Sequence, residues 1–564
     1  DEAPVSEIIA DPVARIEAVD HVPHPKIPAP SEIFSPRLNS KGVPLWHDAT
    51  RQALLKEMDA ALRDGFAGHP LTSARGPDPA QRTIMSPHDR DCRVGTIVET
   101  SAERTQEAAN IAAAAQPEWD RMGGEARAPI LERAADLYED NTARLLAVIV
   151  REAGKTLDNA IADLREAVDF LRYYAARARA EFSGPLELPG PTGERNEISL
   201  HGRGAFACIS PWNFPLAIFT GQMSAALVAG NTVLAKPAEQ TPLTAFEAVR
   251  LLHQAGVPEE VLHLLPGDGA SVGAALTSHA SIQGVAFTGS NETASMINRA
   301  LAERAGPIVP LIAETGGINA MVVDSTALPE QAIGDLIASA YDSAGQRCSA
   351  ARVVFVQDDI APRFTTMLQG AVEELKLGDP LDYATDVGPV IDEDARKSLD
   401  AHKAAMASKA RTLIDLAQTA ETRNGTFVTP AAYEINDLRE LKREIFGPVV
   451  HLIRYDGNRL NGVCDAINAT GYGLTLGVHT RIETTAEQIR ARVQVGNLYV
   501  NRNQIGAVVG AQPFGGEGLS GTGPKAGGPH YLHRFAVERV CSTDTTASGG
   551  NTSLMAMGPS TLPV

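Results

Sequence analysis

The sequence predicts an α/β fold of two doubly wound units carrying a small projecting β-hairpin. Three observations predict it. Short apolar runs alternate with helical stretches from residue 203 to Gly316. The alternation restarts after Gly316 and runs to about residue 500. A polar Gly/Pro-rich stretch, SGPLELPGPTGERNEISLHGRG, stands before the first unit and reads as a hairpin over 184–202 bounded by turn signals. Alternating strands and helices argue for parallel sheets covered by helices on both faces.

The elements follow in order. Residues 1–45 read as an extended arm, because Pro23, Pro25, Pro28, Pro30 and Pro36 fix φ and remove donors. Polyproline-like wrapping is expected there, with Ile27, Ile33 and Phe34 docking on a surface. From residue 50, Leu54, Leu55, Met58 and Leu62 fall on one helical face. Three alanine-rich amphipathic helices are expected over 102–121, 125–153 and 157–182. GAFACIS, NTVLAKP, VLHLLPG and IQGVAFTG are buried-strand candidates, with helices at 215–229, 241–255 and 268–278 between them. In the second unit, strands near 319–324, 351–356, 448–454, 474–479 and 496–500 alternate with helices near 329–342, 359–376, 393–407, 459–468 and 483–491. The resulting division is an arm over 1–45, a first unit over 46–183 and 203–316, and a second over 317–518. The hairpin stands apart over 184–202, and a small polar tail is expected over 542–564.

Composition excludes some function classes. The 564 residues carry 50 Lys and Arg against 69 Asp and Glu, a net charge of −19. A protein tracking nucleic-acid phosphates needs a basic face, so that partner is not expected. No run of about 18 apolar residues offers a membrane span, and the acidic start, DEAPVSEIIADP, lacks the apolar core of a signal peptide. The five cysteines, Cys92, Cys208, Cys348, Cys464 and Cys541, form no CxxC pair, so no metal site is expected. Their odd count and wide spacing suit a reducing cytoplasm. The chain begins with Asp1 rather than Met, which suggests a processed piece or part of a longer polypeptide.

Several residues have the types that chemistry needs. Cys348, in SAGQRCSAAR, follows a helical stretch among small neighbours, with Arg347 beside it to lower the thiol pKa. The other four cysteines read as small buried hydrophobes. Glu314, in PLIAETGGINAMVVD, ends an apolar strand before two glycines. It is either a general base with a raised pKa or a strand-end carboxylate capping the next element. Asn213, in ISPWNFP, could donate to a developing oxyanion or serve as a turn residue. Lys236 and Glu239 close the strand NTVLAK, where both could reach ribose hydroxyls. PGDGASVG holds Gly267, Gly269 and Gly273, close to GxGxxG without matching it. In FTGSNET, Gly289 and Ser290 join a strand to a helix and could offer free N–H groups to a pyrophosphate.

Each motif is ambiguous alone; their order decides. Asn213, Lys236, Glu239, FTGS at 287–290, Glu314, Cys348, EIFGP at 444–448 and PFGGEGLSGTG at 513–523 follow one another as in the NAD(P)-dependent aldehyde dehydrogenase superfamily, which residues 50–541 resemble. The resemblance implies a Rossmann-type NAD-binding first unit, a catalytic second unit and an oligomerisation flap over 184–202 and 534–541. It implies Cys348 as nucleophile, Asn213 and the Cys348 N–H as oxyanion donors, and Glu314 as the base that hydrolyses a thioester. It places NAD along Ile209, Ser210, Pro211 and Trp212, along Lys236, Ala238 and Glu239, and at Gly269 and Gly273. Phe287, Thr288, Gly289, Ser290, Glu444 and Phe446 complete that set. Glu239 favours NAD over NADP, because a carboxylate repels a 2′-phosphate. The family's ELGGK reads ETGGI here, with Thr315 and Ile318 as the departures.

The arm motif HPKIPAP, the helix EAVDFLRYYA, CSAARVVFV and NRNQIGAVVGAQPFGGEGLSGTGPKAGGPHYL narrow the resemblance. They are similar to the L-glutamate-γ-semialdehyde (1-pyrroline-5-carboxylate) dehydrogenase half of bifunctional proline-utilisation enzymes. That implies an amino-acid aldehyde substrate anchored by Ser349, Gly506 and Ala507, with Glu166 and Arg347 in the same group. Phe170, Phe214 and Phe514 would be apolar walls. It also implies a homodimer and a proline dehydrogenase flavoprotein half outside this chain. The alternatives are a dehydrogenase of another semialdehyde, such as succinic semialdehyde, a CoA-acylating enzyme, and a non-catalytic scaffold.

Overall fold

A computed structural model describes residues 4–20, 24, 26–77, 79, 81–191 and 194–544. Two parallel sheets organise it. The first has five strands in the order Leu311–Glu314, Ile282–Thr288, Ala205–Ile209, Thr232–Lys236, Leu262–Leu264, all parallel. Ala205–Ile209 is followed by a neighbour on one side and, two strands later in the chain, by Ile282–Thr288 on the other. The strand order therefore reverses between these two, which opens a crevice at their C-terminal ends. The second sheet has seven strands, in the order Arg411–Asp415, Ala431–Glu434, Val449–Tyr455, Val353–Gln357, Ala320–Val323, Thr475–His479, Asn497–Val500. It is parallel except for the antiparallel edge strand Arg411–Asp415.

Helices cover both sheets for reasons visible in their sequences. Ala102–Arg121 starts at Ser101, whose hydroxyl accepts the Arg104 N–H. Ala217–Val228 has no polar face, and all of its residues but Ile218 are buried. Its first turn is capped from a neighbouring helix, Leu157–Glu181, where Asp163 Oδ1 accepts the Ala217 N–H at 2.8 Å. A three-stranded antiparallel sheet projects from the body, with Arg195–Gly202 between Leu186–Leu188 and Ala536–Thr543.

Four expectations need correction. The arm forms short helices, Val5–Ile8 and Pro12–Glu17, and a 3-10 turn, Pro30–Glu32, rather than polyproline-like structure. Pro12 at the first helical position, with Asp11 accepting the Val13 N–H, explains the second helix. Pro23 and Pro25 lie outside the described residues. Ile27 and Ile33 are exposed; the arm docks through Leu45, buried in the core, and through polar groups. Arg37 donates to Asp169 (3.1 Å) and to the Val509 carbonyl (2.7 Å), and Ser40 donates to Asp169 through both its N–H and its hydroxyl.

The helix expected over 125–153 breaks at Asn141 into Gly123–Asp140 and Thr142–Ala153. The strand Ala536–Thr543 extends into the expected tail, whose residues 545–564 lie outside the described ones. Cys541 is exposed on that strand and Cys92 is half-buried, so only Cys208 and Cys464 are buried small hydrophobes. Seven strands escaped the sequence reading: Phe66–Gly68, Gln81–Ser86, Asp89–Val98, Arg411–Asp415, Ala431–Glu434 and the two-residue pair Tyr472–Gly473 and Glu517–Gly518. No helix among the described residues is long and apolar enough to cross a membrane.

Candidate active site

The C-terminal edge of the first sheet meets the N-terminal edge of the second. Glu314 ends the last strand of the first sheet, and Ala320–Val323 begins the second sheet only six residues later. Cys348 and Arg352 precede Val353–Gln357, and Glu444 precedes Val449–Tyr455. These segments enclose a cavity of about 500 Å³ whose lining includes Cys348, Glu314, Asn213 and Glu444. Ligand sites favour such crevices beyond strand ends.

The cysteine loop is held in an uncommon conformation. Ser343, Ala344 and Gly345 are consecutive left-handed residues, with φ of 55°, 54° and 66°. Only glycine fits the third position, because a Cβ there would stand 2.2 Å from the Gly447 carbonyl oxygen. The surroundings fix this turn. Gln346 donates to the Ser343 and Pro389 carbonyls and accepts the Ile391 N–H. Asn319 donates to the carbonyls of Cys348 (2.6 Å) and Ala350 (3.0 Å). Arg352 has no solvent exposure and donates to the carbonyls of Gly345 (2.6 Å) and Arg347 (2.8 Å). Non-glycine residues held left-handed store strain, and such positions cluster at functional sites.

Cys348 is partly accessible from the cavity, yet burial pushes its thiol up to about 12. The charges of Glu444 and Glu314 push in the same direction, and Arg352 opposes them. The expectation that Arg347 acidifies the thiol is corrected. Its guanidinium pairs with Asp342 at 2.8 Å, hydrogen-bonds Asn159 and faces the Phe214 ring, and it is not part of the cavity lining. Sequence adjacency misled here, because Cys348 lines the cavity while Arg347 turns to Asp342 and Asn159.

Glu314 is pushed up to about 8 by burial, against the Gly516 N–H, which donates to Oε2 at 3.0 Å, and the charge of Lys525. Its Oε1 is buried without a hydrogen-bond partner among the described residues. A carboxyl so poised has the titration range of a general base. Asn213 donates from Nδ2 to the Gln346 carbonyl at 3.1 Å, which orients the amide and leaves a second N–H for the cavity. Lys155 donates to the Asn213 carbonyl at 2.8 Å and stands 3.3 Å from Asp163. A buried ion pair thus anchors the turn that carries Asn213 and caps the helix after it. Arg352, Lys155, Asp163, Asn319, Gln346 and Lys525 are the residues that the sequence reading missed.

The crevice places the expected cofactor residues in two groups. Pro211, Trp212, Thr288, Gly289 and Ser290 line the cavity with Glu444 and Phe446. Trp212 and Phe446 meet edge-on at 5.6 Å. Glu444 passes beneath Gly316, where a Cβ would stand 1.7 Å from Oε2, so the ETGG turn needs that glycine. Outside the cavity, Lys236 and Glu239 pair at 3.1 Å, with Ala238 buried between them. A Cβ on Gly273 would stand 3.8 Å from the Lys236 side chain, and one on Gly269 4.0 Å from Glu239. Ile209 ends the central strand, and the Ser210 N–H donates to the Lys236 carbonyl at 3.2 Å. Phe287 packs its ring under Gly289.

One expectation about this crevice is corrected for Gly289, whose N–H is not free. The Gly289 N–H already donates to the Glu314 carbonyl, and the Ser290 hydroxyl caps its helix by accepting the Thr293 N–H. The fit to a dinucleotide rests on the half-exposed Glu239 beside the buried Lys236 and on the orphaned Gln222 Oε1 and Glu314 Oε1 at the other end. Among the described residues no His, Cys, Asp and Glu cluster is placed to hold a metal ion.

Beyond Cys348, the cavity is lined by Ser349, Gly506 and Ala507, by Phe170, Phe214 and Phe514, and by Glu166. Phe170 stacks on Tyr174 at 5.5 Å, and Phe214 lies over the Lys155 ammonium at 3.9 Å. Burial and the charge of Asp163 push Glu166 up to about 7.

Residues 76–540 match the aldehyde dehydrogenase family. The chain is 48% identical over 551 residues to the bifunctional protein PutA of Klebsiella aerogenes, covering 95% of this chain and 41% of that protein. It therefore spans about two fifths of the length of that relative. It is 36% identical over 496 residues to a 1-pyrroline-5-carboxylate dehydrogenase of Geobacillus thermodenitrificans, covering 86% of this chain and 95% of that one. The structure of a Thermus 1-pyrroline-5-carboxylate dehydrogenase with bound NAD superimposes with a TM-score of 0.84 at 32% identity, covering 91% of this chain and all of the other. A two-sheet crevice built around Cys348, Glu314 and Asn213, matched along nearly the whole chain, makes this protein a member of the aldehyde dehydrogenase family.

Proposed function

We propose that this chain oxidises L-glutamate γ-semialdehyde, the open form of 1-pyrroline-5-carboxylate, to L-glutamate with NAD. The observation that carries the reading is one cavity shared by Cys348, Ser349 and the backbone of Gly506 and Ala507. A thiol nucleophile and small donor-bearing residues lining one cavity match an aldehyde that ends in an α-carboxylate. Glu166, on the same wall, is the anionic group for the α-ammonium. The relatives named for 1-pyrroline-5-carboxylate support the substrate class. A proline dehydrogenase unit on a longer or separate chain, self-association through the flap and a cytoplasmic setting belong to the same proposal.

The residues divide the work. The Cys348 sulfur, as thiolate, attacks the aldehyde carbon, and Glu314 is a carboxylate in the same cavity able to take its proton. The second Asn213 N–H and the Cys348 backbone N–H meet the oxyanion. NAD, when bound, supplies the acceptor for the hydride that leaves the substrate carbon. Lys236 and Glu239 would hold its adenosine ribose, and Glu444 and Phe446 its nicotinamide end. Once that proton has passed to solvent, Glu314 takes a proton from water, whose oxygen attacks the thioester, and returns it to the departing Cys348 sulfur as the acid is released.

Arg502 could have favoured a dicarboxylic semialdehyde, but it donates to Gln512 at 2.9 Å and packs on Tyr499. The test is kcat/KM with NAD and NADP across a panel of aldehydes. The amino-acid semialdehyde is expected to exceed an alkanal of the same length. An alkanal that does better overturns the substrate assignment.

A further inference from the structure

Lys525 lies outside the cavity lining, yet it is tied to the hydrolytic carboxylate from two directions. Its Nζ donates to the Gly515 carbonyl (2.6 Å), the Gly496 carbonyl (2.7 Å) and Asn497 Oδ1 (3.0 Å). Asn497 Nδ2 in turn donates to the Pro513 carbonyl at 2.9 Å. The ammonium thus staples residues 513–516 to the start of the edge strand Asn497–Val500. The stapled segment ends in Gly516, whose N–H holds Glu314. A Cβ added at Gly515 would stand 2.8 Å from Glu314 Oε1 and 3.2 Å from Lys525 Cα, so a single glycine separates the carboxylate from the lysine backbone. The next residue, Ala526, pairs with Phe514 through both backbone hydrogen bonds, and both line the cavity.

We infer that Lys525 is the positioning residue of the hydrolytic half-reaction: it pins residues 513–516 so that Gly516 holds Glu314, and its charge favours the ionised carboxylate. The inference rests on the reading of Glu314 as hydrolytic base. The charged and titratable groups around the pair are few. Glu314 faces Lys525, Cys348 and Tyr531, and Lys525 faces Glu314 and Glu517. Lys525 is therefore the cation of this set, and its removal leaves Glu314 among groups that are neutral or repel its charge. Burial raises the Glu314 pKa while Lys525 opposes the rise. Loss of the ammonium moves it further up.

The experiment compares the pre-steady-state burst of NADH with the steady-state rate across pH, in the parent, Lys525→Met, Lys525→Arg and Glu314→Gln. Lys525→Met is expected to keep a full burst while the limb rising with pH moves up by about one unit, the low end for a lost opposite charge. Below both pKa values that shift lowers the ionised fraction, and so the steady-state rate, about tenfold. Lys525→Arg, which keeps the charge, restores most of the rate and the limb. An unmoved limb in Lys525→Met, or burst and steady state falling in equal proportion, overturns the inference. The Glu314 assignment survives that result if Glu314→Gln still stalls after the burst. Undiminished turnover in Glu314→Gln overturns both.

Discussion

Arg352 donates to Glu444 Oε1 at 3.0 Å while the same guanidinium holds the carbonyls of Gly345 and Arg347. One buried cation thereby joins the cysteine loop to the segment that carries Glu444 and Phe446, and it also lies 5.0 Å from the Phe446 ring. The relationship links the two halves of the site, because Glu444 lies under the ETGG turn and Arg352 under the thiol. Arg352 is also the charge that lowers the Cys348 pKa against burial.

Replacing Arg352 by Met leaves Glu444 buried without its partner and orphans the two carbonyls. Breaking a buried pair from one side costs about 3–5 kcal/mol. Calorimetry is expected to show a clear fall in Tm, with activity lost beyond what unfolding explains. Glu444→Gln added to Arg352→Met is expected to recover part of the stability, since it removes the uncompensated charge. Arg352→Lys keeps the charge but cannot reproduce the fork, so activity should still fall. A Tm unchanged in Arg352→Met would show that the guanidinium does not brace the loop.

The sequence made the reacting groups legible because each sits on a short segment at a strand end. Cys348, Glu314 and Asn213 stand out as candidates from local context, the order of the motifs decides between their readings, and most strands of both sheets are legible as well. The braces could not be named, because each joins distant positions: Asn319 to Cys348, Lys155 to Asn213, Lys525 to residues 513–516. The strands Gln81–Ser86 and Asp89–Val98 were hidden by Arg82, Asp89, Arg90, Asp91 and Arg93, which leave the alternation visible only toward the ends of the hairpin. Arg347 shows the reverse error, a neighbour in sequence that packs behind the wall.

The hydrolytic step carries its own pH signature. Burial holds Glu314 at about 8, so the carboxyl is mostly protonated at neutral pH and gains basicity as pH rises through that value. Turnover limited by hydrolysis is therefore expected to climb between about pH 7 and 9. In Glu314→Gln that limb should vanish, leaving a burst of NADH followed by slow release. A rising limb that persists in Glu314→Gln assigns the titration to another group.

Substrate anchoring separates two kinds of loss. Ser349 lines the cavity beside the nucleophile, and its carbonyl accepts from Thr475 Oγ1 at 3.0 Å, which fixes the backbone there. A hydroxyl donated to a carboxylate contributes about 1.5–3 kcal/mol. Ser349→Ala should raise KM for the amino-acid semialdehyde about tenfold or more and leave a simple alkanal nearly unchanged. Glu166→Gln should act in the same direction if that carboxylate meets the α-ammonium. Equal effects on both substrates in either variant remove that residue from the anchor.

Cofactor choice turns on a local balance of charge. Glu239 has a side chain 40% exposed and holds Lys236 at 3.1 Å, while the Arg82 guanidinium donates to the Glu239 carbonyl at 2.7 Å. Lys236 thus stands beside a carboxylate that faces the crevice, while Arg82, paired with Glu99 at 2.8 Å, holds the backbone there. With Glu239 present, a 2′-phosphate meets a negative oxygen; with Ser in its place, it meets Lys236 without that repulsion. Glu239→Ser is therefore expected to raise the ratio of kcat/KM for NADP to that for NAD by about tenfold, the effect of roughly 1.4 kcal/mol. Because Lys236 is buried and also donates to the Pro237 carbonyl at 3.0 Å, it stays in place when Glu239 is shortened, so the gain should come from removed repulsion rather than from a moved lysine. A Lys236→Met change added to Glu239→Ser should then cancel the gain, and a ratio that Glu239→Ser leaves unchanged places the ribose elsewhere in the crevice.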